Sequence, residues 1–198
     1  MIDLKQLESS LSGRMDAYRL AHTMAVKEEC AVLAKLFQLS EEDTADLLIA
    51  ALLHDCTKQL KGSAQLILAR ELGIPLTEDD LNSPKVLHSL TGAMVAKNEY
   101  GVSDQIASMI ACHTTGKEDM TLLEKLLYLA DYIEPTRTFE DCVTLRKFFY
   151  GKRTCALAAH LDATLVLSFD MTIRNLLEDG CHIHTKTIKS RNFLLKNA

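Results

Sequence analysis

The scarcity of helix-breaking residues constrains this chain more than any other feature of its sequence. Only 3 prolines and 8 glycines occur in 198 residues. Because proline and glycine interrupt helices most effectively, their rarity favours long helices with short connections. No stretch shows the strict alternation of apolar and polar residues that a half-buried strand requires. The sequence therefore predicts an all-α fold, a single-domain helical bundle over residues 1–198, whose helices from about residue 153 onward pack on the core or extend it.

Capping signals and apolar periodicity place the predicted helices along the chain. Ser40 and the pair Thr121 and Glu124 have the pattern of N-terminal caps, and Gly73 stands where a C-terminal cap belongs. Residues 74–84 are expected to form a loop or broken turn, with Thr77 as a local N-cap. We predict helices at residues 2–11, 15–37, 41–54, 63–72, 87–99, 103–112, 121–134, 139–149, 153–178 and 185–196.

The charge balance and the cysteines limit the partners and the compartment. The chain carries 22 basic and 27 acidic residues, a formal net charge of −5. This balance argues against nucleic acid or an anionic membrane as a partner, but it is compatible with a small phosphorylated ligand. The chain shows neither a signal-peptide pattern at residues 1–6 nor an apolar run near the length of about 20 residues that a membrane helix needs. With six scattered cysteines that form no Cys-x-x-Cys pair, we expect reduced thiols and a cytoplasmic protein.

Histidine and aspartate side chains recur on helix faces that are otherwise apolar. The pair His54-Asp55 ends one apolar helix, His22 has apolar neighbours one turn away on either side, and Asp131 lies on an apolar stripe. A single buried histidine is usually a hydrogen-bonded core residue, but an aspartate on an apolar face is costly unless it is paired or bound to a metal. A set that converges within one bundle predicts a site for a hard or borderline metal ion. The candidates are His22, His54, Asp55, His88, His113 and Asp131.

Five motifs carry a resemblance to a known family. In chain order they are His22, His54-Asp55-Cys56-Thr57-Lys58, Leu87-His88-Ser89-Leu90-Thr91-Gly92-Ala93, His113-Thr114-Thr115-Gly116 and Leu129-Ala130-Asp131-Tyr132-Ile133-Glu134-Pro135-Thr136-Arg137. The order His, His-Asp, Asp is similar to the signature of the HD-domain metal-dependent phosphohydrolases. The full set resembles their YqeK-like branch, the symmetrical bis(5'-nucleosyl)-tetraphosphatases. The resemblance extends from Arg19 to about Asn192.

This resemblance implies an activity and a cofactor. The expected reaction is the metal-dependent hydrolysis of diadenosine tetraphosphate to two ADP, in which a metal-activated hydroxide attacks a phosphorus. The expected metal is iron, as one or two ions, with manganese, cobalt or zinc as alternatives. The expected partner is thus a small-molecule nucleotide substrate.

The resemblance also assigns roles to individual residues. The expected metal ligands are His22, His54, Asp55 and Asp131. The residues expected to hold phosphates are Arg19, Lys58, His88, His113, Thr114 and Arg137. Asp55 and Lys58 are the expected catalytic residues. Alternatively, His88 and His113 complete a second metal site, and the sequence does not decide between these roles.

Several alternatives stay open at this point. The first alternative is another HD-type nucleotidase or phosphodiesterase, and the second is a nucleotide-binding regulator without turnover. The absence of a Gly-Tyr-Pro motif disfavours a cyclic-dinucleotide substrate. The helix at 153–178 buries its apolar surface either within the bundle or across a homodimer. Lys117 and Arg146 are interpreted as surface residues, His160 as a core residue, and residues 181–184 as an ordinary loop. Base preference and the role of residues 181–192 are not specified.

Overall fold

The fold of this chain consists of helices joined by short connections, as the shortage of helix breakers predicts. The computed structural model describes residues 2–197, so positions 1 and 198 of the predicted domain lie outside the described residues. Regular secondary structure within that range is entirely helical, which confirms the all-α prediction. The helices are α1 (Leu4–Leu11), α2 (Ala17–Leu36), α3 (Glu41–Leu53), α4 (Gly62–Glu71), α5 (Glu78–Asn82), α6 (Leu87–Tyr100), α7 (Asp104–Cys112), α8 (Leu122–Ile133), α9 (Glu140–Tyr150), α10 (Leu157–Glu178) and α11 (Thr185–Asn197), with a 3₁₀ turn at Pro84–Val86.

Local capping explains where most of these helices begin. The Ser40 hydroxyl accepts the backbone N–H of Asp43, and Thr121 forms a reciprocal capping box with Glu124. Thr77 likewise forms a capping box, with Asp80, and nucleates the short helix α5. The prediction of a loop over 74–84 was therefore wrong at residues 78–82. Helix α10 begins at Leu157 instead of residue 153, and the residue before it, Ala156, has φ −57° and ψ 149°, outside the helical region.

The apolar core lies where α2, α3, α7 and α8 pack against one another. Helix α6 covers α7, and α10 packs on α8, α9 and α11 of the same chain. Fully buried side chains such as Leu33, Leu52 and Leu126 fill the centre, and each such leucine stabilises the fold by about 1.5–3 kcal/mol. His160 on α10 is buried and bonds the carbonyl of Phe149 at 3.0 Å, in line with its interpretation as a core residue. This packing brings the carboxyl ends of α3, α7 and α8 to one end of the bundle.

The last helix is fastened to the rest of the fold at two places. His182 and His184, in the loop before α11, lie 2.8 Å from Asp79 and 3.2 Å from Asp80 respectively. The second place is Gly116, which has φ +65° and packs against Ser190 of α11. A Cβ atom on Gly116 would stand 2.8 Å from Ser190 Oγ and 2.7 Å from Phe169 Cζ. Only glycine fits this position, because a side chain meets both the strained backbone and the core. Among the described residues, no helix combines the length and the apolar character needed to cross a membrane.

Candidate metal centre

The predicted ligands are far apart in the chain but meet at one end of the bundle. They are His22 in the second turn of α2, His54 and Asp55 at the end of α3, His88 in the first turn of α6, His113 at the end of α7 and Asp131 in the last turn of α8. The first five are buried, and the Asp131 side chain is 18% exposed. The set therefore lies inside the protein with one side toward solvent.

Four ligand atoms form a first cluster. His22 Nε2 lies 3.0 Å from Asp131 Oδ1 and 3.7 Å from Asp55 Oδ2. His54 Nε2 lies 3.5 Å from the same Asp55 oxygen and 3.7 Å from Asp131 Oδ1. Both Nε2 atoms are buried and have no hydrogen-bond partner, because these close approaches lack hydrogen-bond geometry. Donor atoms about 2.1 Å from a shared ion lie about 3 Å apart, so this crowding fits the ligand shell of a metal.

The other oxygen of Asp55 faces a second cluster. Asp55 Oδ1 lies 3.2 Å from His88 Nε2 and 3.6 Å from His113 Nε2. The two Nε2 atoms are 3.2 Å apart. Asp55 therefore stands between the clusters and directs one carboxylate oxygen to each.

The second nitrogen of each imidazole fixes the orientation of the ring. In three of the four histidines, Nδ1 faces the backbone carbonyl three residues earlier. The Nδ1–oxygen distances are 2.6 Å from His54 to Ala51, 2.8 Å from His88 to Lys85 and 2.7 Å from His113 to Ile110. A carbonyl only accepts, so the ring proton belongs on Nδ1 and the lone pair of Nε2 points into the centre. Metal-binding histidines are oriented in this way.

His22 is oriented by a residue to which the sequence assigned no role. Its Nδ1 lies 3.2 Å from Glu134 Oε1, and this carboxylate is completely buried. Thr136 donates its backbone N–H to Oε2 at 2.6 Å and its hydroxyl to Oε1 at 2.7 Å. Glu134 lies within the last quoted motif, three residues after Asp131, and that spacing was the available signal.

Basic side chains border the open side of the centre. Arg19 bonds Asp55 Oδ2, Arg137 bonds Asp131 Oδ1 at 2.7 Å, and the two side chains are 17% and 30% exposed. Lys58 Nζ lies 2.9 Å from His88 Nε2. Thr114, the residue after His113, donates its hydroxyl to Ser89 at 3.2 Å. The structure thus brings every predicted site residue to this end of the bundle.

The prediction that Arg146 is a surface residue was wrong. Its side chain is half-buried, and its guanidinium donates to the carbonyls of Ile133 at 2.5 Å, Glu134 and Arg137 at 3.0 Å. The last carbonyls of a helix lack partners within the helix, so a basic side chain from α9 caps α8. Arg146 thereby holds the backbone that carries Glu134 and Arg137.

The electrostatics of the centre favour a cation. Burial alone would raise the pKa of both aspartates, but His54 beside Asp55 and Arg137 beside Asp131 hold their pKa values well below the usual range. Burial would lower the pKa of His54, and the Asp55 carboxylate outweighs this and raises it. For His88 burial prevails and lowers the pKa to about 4, and burial also lowers the pKa of Lys58. The centre therefore combines two charged carboxylates with imidazole donors.

Comparisons with known proteins agree with this geometry. The HD domain family model matches residues 18–136, which include the metal centre's predicted ligands. The chain belongs to the HD domain family. This assignment confirms the resemblance deduced from the motifs.

Relatives of this HD-domain chain match it over most of its length. A protein from Staphylococcus aureus is 32% identical over 97% of this chain and 94% of its own length, and one from Halalkalibacterium halodurans is 33% identical over 90% and 89%. Both carry the name symmetrical bis(5'-nucleosyl)-tetraphosphatase. A crystal structure from Clostridium acetobutylicum, described as a predicted HD superfamily hydrolase involved in NAD metabolism, is 32% identical with a TM-score of 0.87 and full coverage of both chains.

Proposed function

We propose that this HD-domain protein hydrolyses dinucleoside tetraphosphates, with diadenosine tetraphosphate giving two ADP. The observation that carries the proposal is the Asp55 carboxylate, which directs one oxygen to each of two groups of imidazole Nε2 atoms at the bottom of a basic rim. The named activity of relatives that match the chain over almost its whole length supports the choice of substrate.

We propose that His22, His54, Asp55 and Asp131 hold one metal ion. The two histidine Nε2 atoms, buried and without hydrogen bonds, are the observation that fits a cation there. The mixed nitrogen and oxygen donors suit iron, manganese, cobalt or zinc, and the family resemblance favours iron. A bound metal lowers the pKa of water and neutralises charge on phosphoryl oxygens.

His88 and His113 suit a second ion better than a phosphate. Their Nε2 atoms face Asp55 Oδ1 at 3.2 and 3.6 Å. A phosphate between them would lie against a carboxylate whose lowered pKa keeps it charged, and the two anions would repel. Elemental analysis of protein purified without chelator tests this assignment. Two ions per chain would support a second ion at His88 and His113, and one ion per chain would indicate that both histidines bind phosphate instead.

The remaining polar residues act on the substrate. Arg19 and Arg137 lie at the solvent side of the two aspartates, where their guanidinium groups bind phosphoryl oxygens in pairs. The Lys58 ammonium stabilises negative charge that develops as the phosphoanhydride bond breaks. Asp55 positions both halves of the centre, and Thr114 contributes a hydroxyl at its edge.

Product analysis tests the reaction. Purified protein supplied with Fe²⁺, Mn²⁺, Co²⁺ or Zn²⁺ is incubated with diadenosine tetraphosphate, and the nucleotides are separated by anion-exchange chromatography. We expect ADP alone. ATP together with AMP would overturn symmetrical cleavage, a preference for cyclic dinucleotides or mononucleotides in a substrate panel would change the substrate, and ADP binding without turnover would favour a regulator.

We further propose a cytoplasmic protein, supported by the six cysteines, which are all free thiols. A homodimer stays a prediction, and light scattering after size exclusion tests it.

A further inference from the structure

A cavity of about 410 Å³ opens beside the metal centre, and its lining contains three lysines and no acidic residue. The lysines are Lys58, Lys61 and Lys85. The volume lies in the range of small-ligand pockets, about 300–1,000 Å³. In a chain with a net charge of −5, such a lining produces a local positive field that favours an anion.

This lysine cavity is continuous with the centre through His88. Lys58 Nζ contacts His88 Nε2 at 2.9 Å, and the carbonyl of Lys85 accepts from His88 Nδ1 at 2.8 Å. Lys61 and Lys85 are exposed and form no ion pair within the part of the chain that the structure describes. Their charges are therefore available to a ligand that enters the cavity.

The walls of the lysine cavity are preformed. Residues 59–62 and the 3₁₀ turn meet where a Cβ atom on Gly62 would lie 3.4 Å from Pro84 Cβ. The side chain of Gln65, 2% exposed, donates to the Thr57 carbonyl at 2.6 Å and accepts from the Thr91 hydroxyl at 2.7 Å. These buried bonds hold the floor against α6, so a ligand does not have to order the cavity as it binds.

The position of the lysine cavity matches the form of the proposed substrate. Arg19 bonds the Oδ2 atom of Asp55, whereas His88 and its neighbour Lys58 lie on the Oδ1 side. Cleavage at the middle of a tetraphosphate places two charged phosphates on each side of the broken bond. We propose that Arg19 and Arg137 hold one half, and that the lysine cavity binds the phosphates of the other nucleoside diphosphate through Lys61 and Lys85. This inference rests on the proposed function.

A double substitution tests the inference. In Lys61→Gln/Lys85→Gln we expect KM for diadenosine tetraphosphate to rise about tenfold, equivalent to about 1.4 kcal/mol, with kcat within twofold. KM of the variant should also depend less on salt, because two screened charges are gone. The control is Lys35→Gln, which removes an exposed lysine about 20 Å along α2 from His22. An unchanged KM in the double variant, or an equal rise in the control, overturns the inference.

Binding of inorganic pyrophosphate separates this inference from the proposed function. Calorimetry on the metal-loaded wild type should resolve a binding event that weakens about tenfold in the double variant, beside any binding at Arg19 and Arg137 that both proteins share, with circular dichroism verifying that both proteins are folded. If the wild type releases no ADP from diadenosine tetraphosphate and pyrophosphate binding still falls, the lysine cavity stands as an anion site and the proposed reaction fails. If ADP is released and neither KM nor pyrophosphate binding changes, the reaction stands and the lysine cavity fails.

Discussion

The contact between Glu134 and His22 predicts a metal-binding defect from a substitution that removes no predicted ligand. Glu134 faces three donors, namely His22 Nδ1, the Thr136 backbone N–H and the Thr136 hydroxyl. In Glu134→Gln the amide offers one accepting oxygen, so its NH₂ group must face at least one of them. Facing His22, the NH₂ group donates to Nδ1 and drives the ring proton to Nε2. That nitrogen then no longer offers a lone pair to the centre.

The burial of Glu134 sets the size of the expected loss of metal affinity. Loss of the partner that orients a metal-binding histidine typically weakens metal affinity about 10- to 100-fold, or about 1.4–2.8 kcal/mol. Glu134 is fully buried, so water cannot replace the lost bond and we expect the upper half of that range. An amide NH₂ group that faces another donor in this buried position should also lower the free energy of unfolding by about 1–3 kcal/mol.

The assay is chelator competition at fixed pH, with urea unfolding of the metal-free protein as a second measurement. Glu124→Gln is the matched control, because Glu124 is also buried and accepts from Ser108, Lys117 and Thr121 without contacting a predicted ligand. The control should lose stability and keep its metal affinity. A metal affinity within twofold of wild type in Glu134→Gln, or equal losses in both variants, would refute the reasoning.

Four further predictions concern the centre and the fold. Asp55→Ala should abolish metal binding and turnover together while the circular dichroism spectrum stays that of a helical protein. Full activity in this variant would show that Asp55 has no role in the centre. Chelator treatment should lower Tm by about 5–10 °C, since an ion at 100 times its Kd stabilises by about 2.7 kcal/mol; an identical Tm would contradict this. Gly116→Ala should lower the free energy of unfolding by about 2–4 kcal/mol in urea titrations, because its Cβ would meet Phe169 at 2.7 Å with φ at +65°; a change below 1 kcal/mol would speak against it. Burial would raise the pKa of the Glu124 carboxyl, but its hydrogen bonds, foremost the one with Lys117, together outweigh burial and hold the pKa below the usual 4.5. The stability that the pair with Lys117 contributes is therefore present above pH 4.5 and is lost as the pH falls. Tm measured from pH 6 to 3 should decline less steeply in Glu124→Gln than in the wild type, and parallel curves would exclude a contribution from this pair.

Local signals account for the parts of the fold that the sequence predicts. Helix starts at Ser40 and Thr121 depend on contacts within one turn, so residue order alone reveals them. The same chemistry at Thr77 indicated a cap, but a helix of five residues lacks the periodicity that would have extended the prediction. The start of α10 has no capping side chain, so no local signal of this kind marks it in the sequence.

In the candidate centre, too, local motifs were predictable from the sequence and contacts between distant segments were not. Its predicted ligands belong to motifs with recognisable order, and the structure brings all of them together. The roles of Glu134 and Arg146 depend on contacts between distant segments, and Glu134 is 112 residues from His22. The allocation of one Asp55 oxygen to each cluster depends on a side-chain rotation that no spacing encodes.

The distribution of the ligands over five helices makes the centre a late product of folding. No single helix or hairpin contains the full set, so high affinity for an ion arises only after α2, α3, α6, α7 and α8 have docked. An ion that binds there acts as a reversible cross-link between these helices and stabilises the folded state over every partly docked one by mass action. Metal occupancy thereby distinguishes completely folded molecules from partly folded ones.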